Sequence, residues 1–169
     1  IKQWLSGKVA HSTAPALFRL TYQYMNVLTG EPNMVTAFNT VLEMMGEQYK
    51  ARRTFIFLDF KLLGDNSLHE WCAKNTASKK HLLAPETYDQ LVEELMPTIK
   101  GSGIIVSDCE ALYPQINRAF HVQNGCALAV LPLWKDGALL GFVGVADTRG
   151  RQWTADDVIM LQNLVVLLE

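Results

Sequence analysis

At 169 residues the chain has the length of one domain that buries its own core, and a second full domain does not fit. Hydrophobic residues make up 49% and charged residues 19%, which excludes a disordered composition and predicts a chain that folds by itself. A formal charge of −2, from 15 basic and 17 acidic residues, leaves no cationic footprint, so neither nucleic acid nor an anionic membrane is an expected partner.

The first residues, 1–14, lack periodicity and read as a linker remnant. From Pro15 to Leu28, Leu17, Phe18, Tyr22, Met25 and Leu28 recur at spacings of three and four before Gly30, which predicts a lead-in helix over residues 15–30. Glu31-Pro32-Asn33 opens a second helix, with Met34, Phe38, Val41 and Met45 on one stripe and Val35, Leu42 and Tyr49 beside it. Arg53 to Phe60 is rich in aromatic and β-branched residues, Gly64-Asp65-Asn66 supplies turn chemistry, and Ser67 to Thr76 follows as a second strand. Pro85 opens a helix carrying Tyr88, Leu91, Val92 and Leu95, which Pro97 is expected to end.

Gly101-Ser102-Gly103 breaks into a short strand, Ile104 to Ser107. The stretch from Asp108 to Asn124 reads as a crossover loop holding a short helix interrupted by Pro114. Two strands follow, Cys126 to Trp134 and Ala138 to Ala146, joined by Lys135-Asp136-Gly137, because Asp-Gly adopts the positive backbone angles of a tight hairpin. Thr154 then caps a helix, with Asp157 three residues on and Val158, Leu161, Val165 and Leu168 along a seam of coiled-coil spacing. Short connections between successive strands predict an α+β domain over residues 31–169: a central antiparallel sheet, helices on one face and the crossover covering a pocket on the other.

Leu131-Pro-Leu-Trp134, Asp136-Gly137, Leu140-Gly-Phe-Val-Gly-Val145 and Trp153-Thr-Ala-Asp-Asp157 before an apolar helix together resemble the C-terminal half of a GAF domain, a PAS/profilin-like fold. The resemblance covers Asn33 to Glu169. It implies a small-molecule pocket beside the sheet, a dimer built from the first and last helices, and an output domain such as a diguanylate cyclase or histidine kinase in a bacterial signalling protein. The chain opens at Ile1 without an initiator Met and reaches Glu169 with its helical pattern still running, so both ends are expected to be cuts in a longer polypeptide.

Chemistry finds little support along the chain. His69 and Cys72 are the only close pair of metal-ligand types; on a strand they point to opposite faces, and no metal site is expected. Cys72, Cys109 and Cys126 are an odd, sparse set that favours a reducing compartment, and a cytoplasmic location is expected. Apolar runs are strand-sized, so no direct membrane contact is expected. Cys109 opens the crossover, but Asp108 and Glu110 flank it and disfavour its thiolate, so the cysteines read as packing residues and no catalytic residue is assigned. A thiol enzyme like the free methionine sulfoxide reductases, which are GAF proteins, is an alternative using Cys109 or Cys126. A ligand-free structural dimerisation module is another.

Covalent bilin is not expected, because Glu110 rather than histidine follows Cys109. Phe142 and Asp147 match only fragments of the cyclic-nucleotide signature of similar domains, and no phosphate-cradling glycine loop is present. No cofactor is therefore named, and the ligand is an unidentified small molecule. Trp71, Asp108, Cys109, Tyr113, Ile116, Phe120 and Phe142 are its candidate contacts, with Asp108 as polar anchor. Gly141 and Gly144, inside a strand, mark close approach either of a ligand or of neighbouring packing. Leu17, Tyr24 and Leu28 of the lead-in helix, with Val158, Leu161, Val165 and Leu168 of the last, are the candidate homodimer contacts.

Overall fold

The computed structural model describes residues 14–59, 61, 64, 67–80, 88–89, 92–93, 97, 103–106, 127–147 and 150–169. Helix α1 (Ala14–Gly30) is followed by α2 (Met34–Tyr49), whose first turn is closed by Asn33 Oδ1 accepting from the Thr36 amide at 3.0 Å. Strands β1 (Arg53–Leu58), β2 (Leu68–Cys72), β3 (Ile104–Val106), β4 (Ala127–Lys135) and β5 (Ala138–Asp147) precede α3 (Ala155–Leu168).

Among the described residues the five strands form one antiparallel sheet in the order β2-β1-β5-β4-β3. The predicted β4–β5 hairpin turns at Asp136 and Gly137 with φ of 51° and 80°, between the paired Lys135 and Ala138. Positive φ at both turn residues is the mirror-image turn that matches the twist of the flanking strands, and Asp-Gly adopts it at small cost. Tyr88, Asp89, Val92 and Glu93 are helical, as expected. Pro97, expected to end that helix, is itself helical, since a proline's fixed φ is compatible with a helical turn; the residues on either side of it lie outside the described set.

One sheet face is the floor of the core. Ile56, Leu58, Ala129, Leu131, Leu133, Val143 and Val145 pack there against Val41, Leu42 and Met45 of α2 and Met160, Leu161 and Leu164 of α3. Helix α1 packs chiefly on α2 and α3 rather than on strands, so it forms an outer layer. This arrangement removes two residues, Tyr24 and Leu161, from the expected dimer seam. Tyr24 is 1% and Leu161 1% exposed, both inside the core, while Leu17, Leu28, Val165 and Leu168 are partly buried against it and Val158 is half-buried. Tyr24 and Leu161 are therefore unavailable to a second copy, because α1 and α3 pack on each other and on the core, tied by Asn163 Nδ2 donating to Thr21 Oγ1 at 3.1 Å. The other five keep part of their surface open.

Candidate functional site

Strand alternation sets the face of the sheet turned away from α1, α2 and α3. The helical residue Tyr88 lies on this face, so the expectation that helices gather on one face holds for those three helices and not for Tyr88. Register puts Arg53, Phe55 and Phe57 of β1 beside Cys72, Glu70 and Leu68 of β2 and beside Ala146, Gly144 and Phe142 of β5, with Leu128, Val130 and Pro132 of β4 beyond. Side chains on one face of a strand recur every second residue, so this set is complementary to the core set above.

At the centre of this far face Phe57 and Phe142 are fully buried, and Tyr88 meets them from above. Its ring lies 4.9 Å edge-on from Phe57 and 6.1 Å from Phe142. The Tyr88 hydroxyl is buried with no hydrogen-bond partner among the described residues. Burial, and then the negative charges of Asp59 and Asp89, push its proton affinity well above that of an ordinary tyrosine, so it stays a neutral O–H donor.

At the β2 end of the same face, Arg53 and Glu70 form a buried ion pair, Nη1 to Oε1 3.4 Å, with side chains 8% and 5% exposed. The Arg53 guanidinium also lies over the Phe55 ring, 5.5 Å from its centre. Glu70 is further held by the Ser78 hydroxyl and by the Lys79 amide at 3.1 and 3.2 Å. Cys72 neighbours this pair, and burial followed by the Glu70 charge pushes its thiol up to about 11. The far face thus combines an apolar aromatic wall with a few fixed polar groups at its edges, and its one described thiol, Cys72, disfavours the thiolate.

The sequence-predicted contacts divide three ways. Phe142 lies on the far face, beneath Tyr88. Trp71 does not: its register partner is Thr54, on the helical face, and its ring lies on Gly46 of α2, where a Cβ would collide with it. That position is a correction, and its cause is alternation, since Trp71 follows the far-face Glu70 by one residue. Asp108, Cys109, Tyr113, Ile116 and Phe120 lie outside the described residues, as does Cys126. Tyr88, Arg53 and Glu70 were not singled out by sequence reasoning. A charged residue opening an otherwise apolar strand, Arg53, facing a charged residue in the next strand, Glu70, was the available signal.

Gly144 is explained by packing, because a Cβ there would strike the Phe55 ring; at Gly141 the backbone of Phe57 and Leu58 approaches as closely. His69 and Cys72 do fall on opposite faces of β2. Among the described residues no group of three or more histidine, cysteine, aspartate or glutamate side chains is placed to hold a metal. No described helix is long and apolar enough to cross a membrane. A separate groove of about 400 Å³ lies on the helical side, lined by Leu17, Arg19, Gln23, Gln48, Asp157 and Met160 among others.

Residues 33–169 match the family model of the GAF domain. The fold agrees with that of the GAF domain of a phosphoenolpyruvate-protein phosphotransferase from Coxiella burnetii, at TM-score 0.65 and 14% identity, covering 92% of each chain. It is similar to a free methionine-R-sulfoxide reductase from Neisseria meningitidis solved with its substrate, at TM-score 0.60 and 17% identity, covering 96% of this chain and 91% of that one. A third similar structure is a GAF domain of a Synechocystis protein in its photoproduct state, at TM-score 0.56 and 20% identity, covering 76% and 85%. No curated protein matches the chain in sequence.

Proposed function

As the chain belongs to the GAF domain family, a family of sensory domains, we propose that it is a non-catalytic regulatory module that binds a small molecule against the far face of its sheet. Binding there biases how the sheet packs on the helices, and the terminal helices pass that bias to an attached output domain, such as a diguanylate cyclase or histidine kinase of a cytoplasmic bacterial signalling protein. The observation that carries the reading is the buried Tyr88 hydroxyl, held neutral over Phe57 and Phe142 with no partner among the described residues. A buried donor of this kind is costly unless something accepts from it, and a ligand acceptor is the economical partner. Asp108, Cys109, Tyr113, Ile116 and Phe120 complete the ligand contacts in this proposal, and Trp71 is no longer among them.

A thermal-shift screen of metabolites and cyclic nucleotides tests the reading, since a compound that binds only the folded state raises apparent stability by mass action. The expected hit loses most of its shift in Tyr88→Phe and keeps it in Gln23→Ala, on the other side of the sheet. A screen without any shift rejects ligand binding.

The module also acts as a homodimer in this proposal, through a surface different from the seam first expected. Phe18, Tyr22 and Met25 of α1 are 76%, 52% and 38% exposed, and Ile159 and Val166 of α3 are 42% and 70% exposed. With the exposed Thr29 and Gln162, both stripes run at spacings of four and three, the spacing of helices that pack along a seam. Neither stripe carries a charged residue of its own, with the exposed Arg19 flanking Phe18, so a second copy meets both stripes through uncharged side chains. Sedimentation of the chain should show a dimer that Phe18→Glu with Val166→Glu converts to a monomer of unchanged Tm; a monomeric parent chain rejects the interface.

A further inference from the structure

We propose that α2 is a lever that couples β2, at the edge of the sheet among the described residues, to the first turn of α3, with Trp71 and Tyr49 as its two contact points. Alternation makes β2 face both ways: Leu68, Glu70 and Cys72 look toward the candidate site, while His69 and Trp71 look toward α2. The Trp71 ring rests on Gly46, whose missing side chain brings helix backbone and indole together. His69 meets the Phe38 ring edge-on at 5.1 Å, about two helical turns before Gly46. Movement of β2 normal to the sheet therefore presses on α2, because close-packed surfaces transmit displacement rather than absorb it.

The middle of the helix is pinned. Thr54 Oγ1, buried in the neighbouring strand β1, donates to the Leu42 carbonyl at 2.7 Å. A helix held at Leu42 and pushed at Gly46 tilts about the held point. Three residues beyond Gly46, the Tyr49 hydroxyl donates to the Asp157 carbonyl at 2.7 Å, and the Tyr49 carbonyl accepts from Arg151 Nη1 at 2.8 Å. Asp157 is part of the first turn of α3, where its side chain accepts from the Thr154 amide at 2.9 Å and its own amide donates to Thr154 Oγ1 at 3.1 Å. Arg151 is itself stacked on the buried Trp153, 4.5 Å from the ring centre, so the receiving end is as tightly held as the delivering end. The chain of contacts from Glu70 and its strand to the start of α3 is thus continuous, and it is a property of the folded chain that stands without any ligand.

Amide hydrogen exchange on the full chain tests the lever through a double-mutant cycle. Trp71→Phe and Tyr49→Phe should each speed exchange at Val158–Leu161 by about three- to tenfold relative to Leu20–Leu28 of α1. The double variant should exchange no faster there than Tyr49→Phe alone, because the second contact is silent once the first is cut. Multiplication of the two single effects, as for independent sites, overturns the proposal. Equal acceleration in α1 and α3 overturns it too, since that is a uniform loss of stability. Gly46→Ala is the second route: it keeps the indole but displaces it, and should reproduce the Trp71→Phe pattern, whereas a folded Gly46→Ala chain with unchanged α3 exchange refutes the lever.

Discussion

Tyr24 and Tyr49 share one buried layer and use their hydroxyls differently. Tyr49 donates to the Asp157 carbonyl, whereas the Tyr24 hydroxyl, 1% exposed as a residue, has no hydrogen-bond partner among the described residues. Removing an oxygen that bonds nothing removes a desolvation cost, so Tyr24→Phe should leave stability within about 0.5 kcal/mol of the parent or raise it. Tyr49→Phe should instead cost about 1 kcal/mol, as it removes one hydrogen bond between two elements. Denaturant midpoints of the two variants check both signs. The thiol alternative through Cys109 or Cys126 rests on residues outside the described set, whereas Cys72, the cysteine among the described residues, can be tested for reactivity at the same scale. With its thiol pushed up to about 11 it carries almost no thiolate at pH 7, and its alkylation should be slow and should accelerate about tenfold per pH unit up to that value. Rapid labelling of Cys72 at neutral pH, read by peptide mass spectrometry, contradicts this.

Helix α3 shows how far an element could be read without its neighbours. Its start was legible because the signal is local: Thr154 and Asp157 satisfy each other's backbone amides in a capping box. Thr154→Ala should therefore cost about 1 kcal/mol, measurable as a lowered Tm with an unchanged fold. Its outward face was not legible. Val158, Ile159, Met160, Leu161, Leu164, Val165, Val166, Leu167 and Leu168 place apolar residues all round the helix, so periodicity offers several seams and cannot rank them. The seam chosen from spacing turned out to contain Leu161, in the core, while Ile159 and Val166 look outward. Helix α1 has the same ambiguity, with Tyr24 inside and Phe18, Tyr22 and Met25 outside.

The whole molecule should be limited by alkali. Cys72 loses its proton at about 11 when folded and near its ordinary 9.0 when unfolded, and burial raises Tyr24, Tyr49 and Tyr88 above their ordinary 10.0. Above pH 9 the unfolded chain therefore binds fewer protons than the folded one, and stability falls as pH rises. These contributions are complete below pH 9, so the free energy of unfolding should decline steeply between pH 9 and 11. A flat profile over that window contradicts the burial of these groups.

Composition, turn chemistry and helix caps act over a few residues, and for that reason the sequence by itself determined the α+β class, the order of the elements, the Asp136-Gly137 hairpin and the Thr154 cap. Tertiary structure alone decided which way each side chain faces. One step in strand register carries Trp71 to the helices and leaves Glu70 beside Arg53 on the far face, and only the packing of α3 on the sheet and of α1 on α2 and α3 separates the buried stripe of each helix from the exposed one.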